Sequence, residues 1–151
     1  MKRRSCKATL TIGSANGWSA KVMKSILIVE DEEPLLLAIQ HKLEDAGFET
    51  IPTRDGKEAL ARLTGTEPLP DLIWLDYYLP FMNGLEFLTR IKSEERLKQI
   101  PVVVVSNTAG PEKVNAMLDL GVDAYFVKAE RRLNDIIKKV QSIVNGGAKH
   151  E

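Results

Sequence analysis

Residues 72–84 read Leu72 Ile73 Trp74 Leu75 Asp76 Tyr77 Tyr78 Leu79 Pro80 Phe81 Met82 Asn83 Gly84, an apolar run closed by an aspartate and a turn. Four apolar residues in a row, without alternation, suit a strand covered on both faces, as in a parallel sheet lying between helices. In open sheets of that kind ligands bind just beyond the carboxyl ends of the strands. Asp76 is therefore expected to face a crevice. An aspartate standing alone at a strand end is as easily a turn starter, and what counts against that reading here is the company it keeps at the neighbouring strand ends.

Outward from this stretch, the chain from Ser25 onward alternates short apolar runs with amphipathic segments, the pattern of a parallel sheet with helices on both faces. The strands are expected at 25–29, 48–52, 71–75, 102–105 and 124–127. The first helix is announced by Pro34, carries Leu36, Ile39 and Leu43 at helical spacing and stops at Gly47. The second opens on Asp55 and Glu58 in a capping-box arrangement and buries Ala59, Leu60 and Leu63. A third follows Gly84 with Leu85, Leu88 and Ile91 inward, and a fourth begins at Pro111. The fifth, over 131–145, carries Leu133, Ile136, Ile137, Val140 and Val144; the fourth and fifth end near Gly121 and Gly146.

The 151 residues are 44% hydrophobic and 28% charged, which suits one globular domain over 24–145 with a polar tail at 146–151. Lys plus Arg and Asp plus Glu are both 21, so no overall field favours nucleic acid, an anionic membrane or an acidic partner. Cys6 is the only cysteine, which excludes an internal disulfide and a thiolate metal cage and points to a cytoplasmic location. No run approaches the roughly 18 apolar residues of a membrane span. Residues 1–23 begin with Lys2, Arg3 and Arg4 but lack the apolar stretch that export requires. They read as a disordered leader or an expression-derived extension, with Met23 a candidate natural start.

The first strand, Ile26 Leu27 Ile28 Val29, runs into Glu30 Asp31 Glu32 Glu33. Right-handed crossovers make the first and third strands neighbours, which brings Glu30 and Asp31 beside Asp76. Clustered carboxylates stay ionised together when a hard cation neutralises them, and magnesium suits an all-oxygen site with few protein ligands. Glu32 and Glu33 are better explained as favourable charges at a helix N-terminus. The fourth strand ends in Ser106 and the fifth in Lys128. Four strand ends thus supply acid, acid, hydroxyl and lysine, a set able to hold a phosphoryl group.

On these residues the chain resembles the response-regulator receiver domains of two-component signalling over about 24–145: acids after the first strand (Glu30, Asp31), an aspartate after the third followed by Pro80 and Asn83-Gly84, Ser106 after the fourth and Lys128 after the fifth. The resemblance implies a flavodoxin-like sheet of order 2-1-3-4-5. It also implies that Asp76 attacks a phosphohistidine on a histidine kinase or phosphotransfer protein, forming an acyl phosphate. Asp31, Asp76 and the Tyr78 backbone carbonyl would hold Mg2+, with Glu30 acting on the ion through water. Ser106 and Tyr125 would be the switch residues, signalling to a downstream protein through the face of helix 4, strand 5 and helix 5, where receivers also pair as homodimers. Tyr78 and Thr108 occupy positions that influence dephosphorylation in the family.

One departure stands out. Ala129 follows Lys128 where receivers carry a proline with a cis peptide. A non-proline cis bond costs about 3–4 kcal/mol against roughly 0.5–1 for proline, so the Lys128 loop is expected to be trans, or else strained.

Two other readings use the same residues. A receiver-like interaction module would work without phosphorylation. A magnesium-dependent phosphatase with an aspartyl nucleophile would want a second acid two residues after Asp76, where Tyr78 stands. No helix-turn-helix pattern follows residue 145, so direct DNA binding is not expected.

Overall fold

A computed structural model of the chain describes residues 23–65, 68–107 and 110–146. Five parallel strands, β1 (Ser25–Val29), β2 (Glu49–Thr53), β3 (Leu72–Leu75), β4 (Val102–Ser106) and β5 (Ala124–Val127), form one sheet in the order β2-β1-β3-β4-β5. The crossovers are α1 (Glu33–Asp45), α2 (Gly56–Leu63), α3 (Gly84–Lys92) and α4 (Pro111–Asp119), and α5 (Leu133–Val144) follows β5. The parallel sheet between helices is the one expected from the apolar runs, and its order is the flavodoxin-like one that the resemblance implied.

Alternate residues of each central strand serve opposite faces, as the pleat requires. Leu72 and Trp74 of β3 join Ile26, Ile28, Val103 and Val105 in a core under α1 and α5. Ile73 and Leu75 join Leu27, Val29, Val102 and Val104 in a second core under α2, α3 and α4. The stripes Leu36, Ile39 and Leu43 of α1 and Ile136, Ile137 and Val140 of α5 are buried, while Leu60, Leu85, Leu133 and Val144 are only partly so.

Several boundaries depart from expectation by one or two residues. β2 begins at Glu49 because the Phe48 amide turns back to Leu43 O at 3.0 Å and closes α1. β3 begins at Leu72; the Asp71 carboxylate accepts from the Ser25 amide at 2.8 Å and so sits at the strand's threshold. α5 starts at Leu133 because Lys128–Glu130 form a short 3-10 turn and Arg131 and Arg132 are extended. The Asp55–Glu58 capping box forms by half: Asp55 accepts from the Glu58 amide, but the Glu58 carboxylate accepts from Arg54 N. The reciprocal box lies instead at α3, between Asn83 and Glu86.

Candidate functional site

The register that pairs Val29 with Leu75 and Val104 with Leu75 sets the carboxyl ends of β1, β3 and β4 side by side. The chain leaves β1 at Glu30 and β3 at Asp76, and the Asp76 amide still donates to Val29 O at 3.1 Å. One carboxylate oxygen from each of Glu30, Asp31 and Asp76 lies within 4.8 Å of the others. Glu30 is fully buried, Asp76 is 5% exposed and Asp31 stands in solvent.

Lys128, at the end of β5, reaches across this group. Its ammonium donates to Glu30 Oε1 at 3.2 Å and lies 3.6 Å from Asp76 Oδ2. Glu30 Oε2 accepts from the Glu32 amide at 3.1 Å, which ties the acidic loop to the N-terminus of α1. Burial pushes the Asp76 carboxyl up to about 7, with Glu30 adding to the rise and Lys128 opposing it. Burial also raises Glu30, against the pull of Lys128. One ammonium is thus set against two buried carboxyls, a local shortage of positive charge. Hard oxygen donors gathered in this way fit a small divalent cation, which would supply the missing charge.

Ser106 ends β4 fully buried, and among the described residues its Oγ makes no hydrogen bond of good geometry. A buried hydroxyl without a partner costs about 1–3 kcal/mol and is suited to a ligand oxygen. The Tyr125 hydroxyl is its neighbour: burial raises the phenol's pKa and Ser106 opposes that rise. Tyr125 packs partly buried against the α2–α4 core. Tyr78, two residues past Asp76, leaves its ring half-exposed, edge-on to Tyr77 at 5.0 Å between centroids. All the residues singled out from the sequence, Glu30, Asp31, Asp76, Tyr78, Ser106, Tyr125 and Lys128, therefore stand at one end of the sheet. Thr108 lies outside the described residues. Among the described residues no peptide bond is cis, so Lys128–Ala129 is trans, one of the two outcomes alanine left open.

Two features around the site had no signal in the sequence. Arg54 makes a two-pronged ion pair with Glu33, at 2.9 and 3.0 Å, fastening the β2–α2 loop to the first turn of α1. Gly84 opens α3 so close to the loop after β3 that an added Cβ would lie 2.6 Å from Asp76 O and 2.8 Å from Tyr77 Cα.

Comparison with known proteins falls on the same region. A family model described as the response regulator receiver domain matches residues 26–141. The polar-differentiation response regulator DivK of Brucella ovis is 39% identical over 105 residues, covering 70% of this chain and 84% of DivK. The phosphate regulon transcriptional regulatory protein PhoB of Escherichia coli is 36% identical over 105 residues, and the match spans only 45% of PhoB. Among solved structures, the phosphorylated cyanobacterial phytochrome response regulator RcpA superposes with a TM-score of 0.76 at 35% identity, covering 85% of this chain and 98% of that one. The Mn2+-bound form of the response regulator Rcp1 gives 0.68 at 36% identity, covering 85% and 96%.

Proposed function

Because the chain belongs to the response-regulator receiver family of two-component signalling, we propose that it is a phosphoacceptor whose Asp76 takes a phosphoryl group from a histidine kinase or phosphotransfer protein. A carboxylate oxygen of Asp76 attacks phosphorus, the bond to the donor imidazole breaks, and the imidazole leaves with its electron pair and takes a proton. Water later attacks the acyl phosphate, returning the carboxylate and releasing inorganic phosphate.

The observation that carries this reading is the shared ammonium. Lys128 stands 3.2 Å from Glu30 and 3.6 Å from Asp76, poised to hold the charge of an incoming phosphoryl oxygen as easily as that of a carboxylate. Asp31, Asp76 and the Tyr78 backbone carbonyl would hold Mg2+, which when bound would supply the positive charge that in-line phosphoryl transfer needs. The unpartnered Ser106 hydroxyl donates to a phosphoryl oxygen, and Tyr125 beside it carries the change to the face of α4, β5 and α5, where a downstream protein binds. The similar RcpA structure is of the phosphorylated protein, and the similar Rcp1 structure is of its Mn2+-bound form.

Incubation with acetyl phosphate tests the proposal. Intact mass should show a single phosphoryl adduct that needs Mg2+ and disappears with chelator; a folded protein that takes none would favour the phosphorylation-independent module.

A further inference from the structure

A cavity of about 170 Å3 opens into the core under α1 and α5. An apolar cavity of about 150 Å3 is large enough to take up benzene. The buried side chains Ile39 of α1, Trp74 of β3 and Ile136 of α5 belong to its inner wall. The more exposed Leu35, Lys128 and Arg131 stand at its mouth, where the chain runs extended from the 3-10 turn into α5.

Trp74 distinguishes this cavity from a packing defect. Its ring has no solvent exposure, and among the described residues its indole N–H finds no acceptor. Buried donors are nearly always paired, so this one calls for an acceptor from outside the chain. The other polar side chains of the wall are donors too. Lys128 Nζ is engaged by Glu30 and Asp76. Arg131 lays its guanidinium over the Phe126 ring, 5.6 Å from the centroid, and among the described residues forms no ion pair. No side chain of the wall offers an acceptor. A buried water bonds two to four polar partners and needs acceptors for its own hydrogens, which side chains of hydrocarbon and donors do not supply. A mainly apolar molecule carrying acceptor oxygens suits both parts of the wall.

We propose that this cavity is a binding site for a small aromatic or branched carboxylic acid, its hydrocarbon body against Ile39 and Ile136 and its oxygens served by the Trp74 indole N–H and the Arg131 guanidinium. The negative charge of the ligand follows from a wall that holds cations and no acid. Lys128 borders this cavity as well as the acidic cluster, so the site adjoins Asp76 without using its carboxylate, and binding there does not depend on phosphorylation.

The test is a titration of the nitrogen-15-labelled full chain with sodium benzoate at fixed pH and ionic strength. The tryptophans are Trp18 and Trp74, and the indole N–H signal missing from Trp74→Phe is that of Trp74. Benzoate should move this proton downfield, as an acceptor does, and saturate with a dissociation constant on the order of a millimolar, which suits a ligand of its size. Acetate, which has the carboxylate without the ring, and benzylamine, which has the ring with the wrong charge, should each bind about ten-fold more weakly. The fluorine signal of added 4-fluorobenzoate reports binding to the variants, and Trp74→Phe, which keeps an aromatic wall and removes the donor, should weaken it about five-fold, the scale of one hydrogen bond. Arg131→Gln, a change at an exposed position, should weaken it about three-fold and serves as the deciding variant if Trp74→Phe does not fold. A Trp74 signal that benzoate leaves unmoved, acetate acting as strongly as benzoate, or a folded variant of either kind binding 4-fluorobenzoate as wild type does would each overturn the site.

Discussion

Lys128 Nζ lies closer to Glu30 than to Asp76, 3.2 Å against 3.6 Å, so the buried glutamate is the lysine's first partner. Glu30 has no solvent exposure and Lys128 very little. Removing one member of such a pair leaves the other charge buried and uncompensated, at a typical cost of about 3–5 kcal/mol. Lys128→Met should therefore lower stability markedly at pH 8, with part of the loss recovered at pH 5, where Asp76, raised to about 7, takes up its proton. Thermal melts at the two pH values check this; an equal loss at both would mean that the lysine acts by packing alone.

The wild-type protein should itself become less stable as pH rises when no divalent ion is present. Asp76 moves from an ordinary 3.8 to about 7 on folding, and Glu30 moves in the same direction. Between those values the folded state binds more protons than the unfolded one, so stability falls from about pH 4 to pH 7 and levels off above. At about 1.4 kcal/mol per pH unit, the Asp76 contribution is on the order of 4 kcal/mol at most. Urea titrations across this range should show the decline. Asp76→Asn should flatten it, and millimolar Mg2+ should stabilise the protein at pH 8 more than at pH 5.

Gly84 should tolerate no side chain. With an added Cβ only 2.6 Å from Asp76 O and 2.8 Å from Tyr77 Cα, Gly84→Ala must push α3 away from the backbone that carries the acceptor. Overpacking of this kind costs roughly 1–3 kcal/mol. Denaturant unfolding should register the loss, and phosphoryl loading should slow as well, because the displaced atoms belong to the Asp76 peptide.

Phe81 presents the opposite case. It is 84% exposed yet holds a φ of 68°, the left-handed region that costs a side-chain-bearing residue roughly 1–2 kcal/mol. Phe81→Gly should leave stability unchanged or raise it by up to about 1 kcal/mol, whereas Phe81→Val should lower it, since a branched Cβ fits that backbone worst. A large loss in Phe81→Gly would show that the ring contributes packing out of proportion to its exposure.

Much of this architecture is legible in the sequence. β1 and β5 fall where the apolar runs Ser25–Val29 and Ala124–Val127 place them, and parallel crossover rules suffice to bring Glu30, Asp31 and Asp76 together. What escaped was decided by backbone hydrogen bonds and by contacts between distant segments. Nothing in the run Phe48–Pro52 says that the Phe48 amide belongs to α1. The pattern Asp55-x-x-Glu58 matches a capping box as well as Asn83-x-x-Glu86 does, and only the latter closes. The approach of Lys113 to Tyr77 and Tyr78, and the Arg54–Glu33 pair, join residues from separate crossovers. Periodicity reports which face a residue occupies, and is silent on which neighbour it meets there.

Whether Asp76 itself accepts the phosphoryl group is decided by chemical trapping. Protein loaded from acetyl phosphate in Mg2+ is reduced with borohydride, which converts an acyl phosphate on aspartate to homoserine, and the modified peptide is located by mass spectrometry. Wild type should carry homoserine at position 76, and Asp76→Asn should carry no modification. Homoserine at another acidic residue in the wild type, or an adduct undiminished in Asp76→Asn, would contradict it.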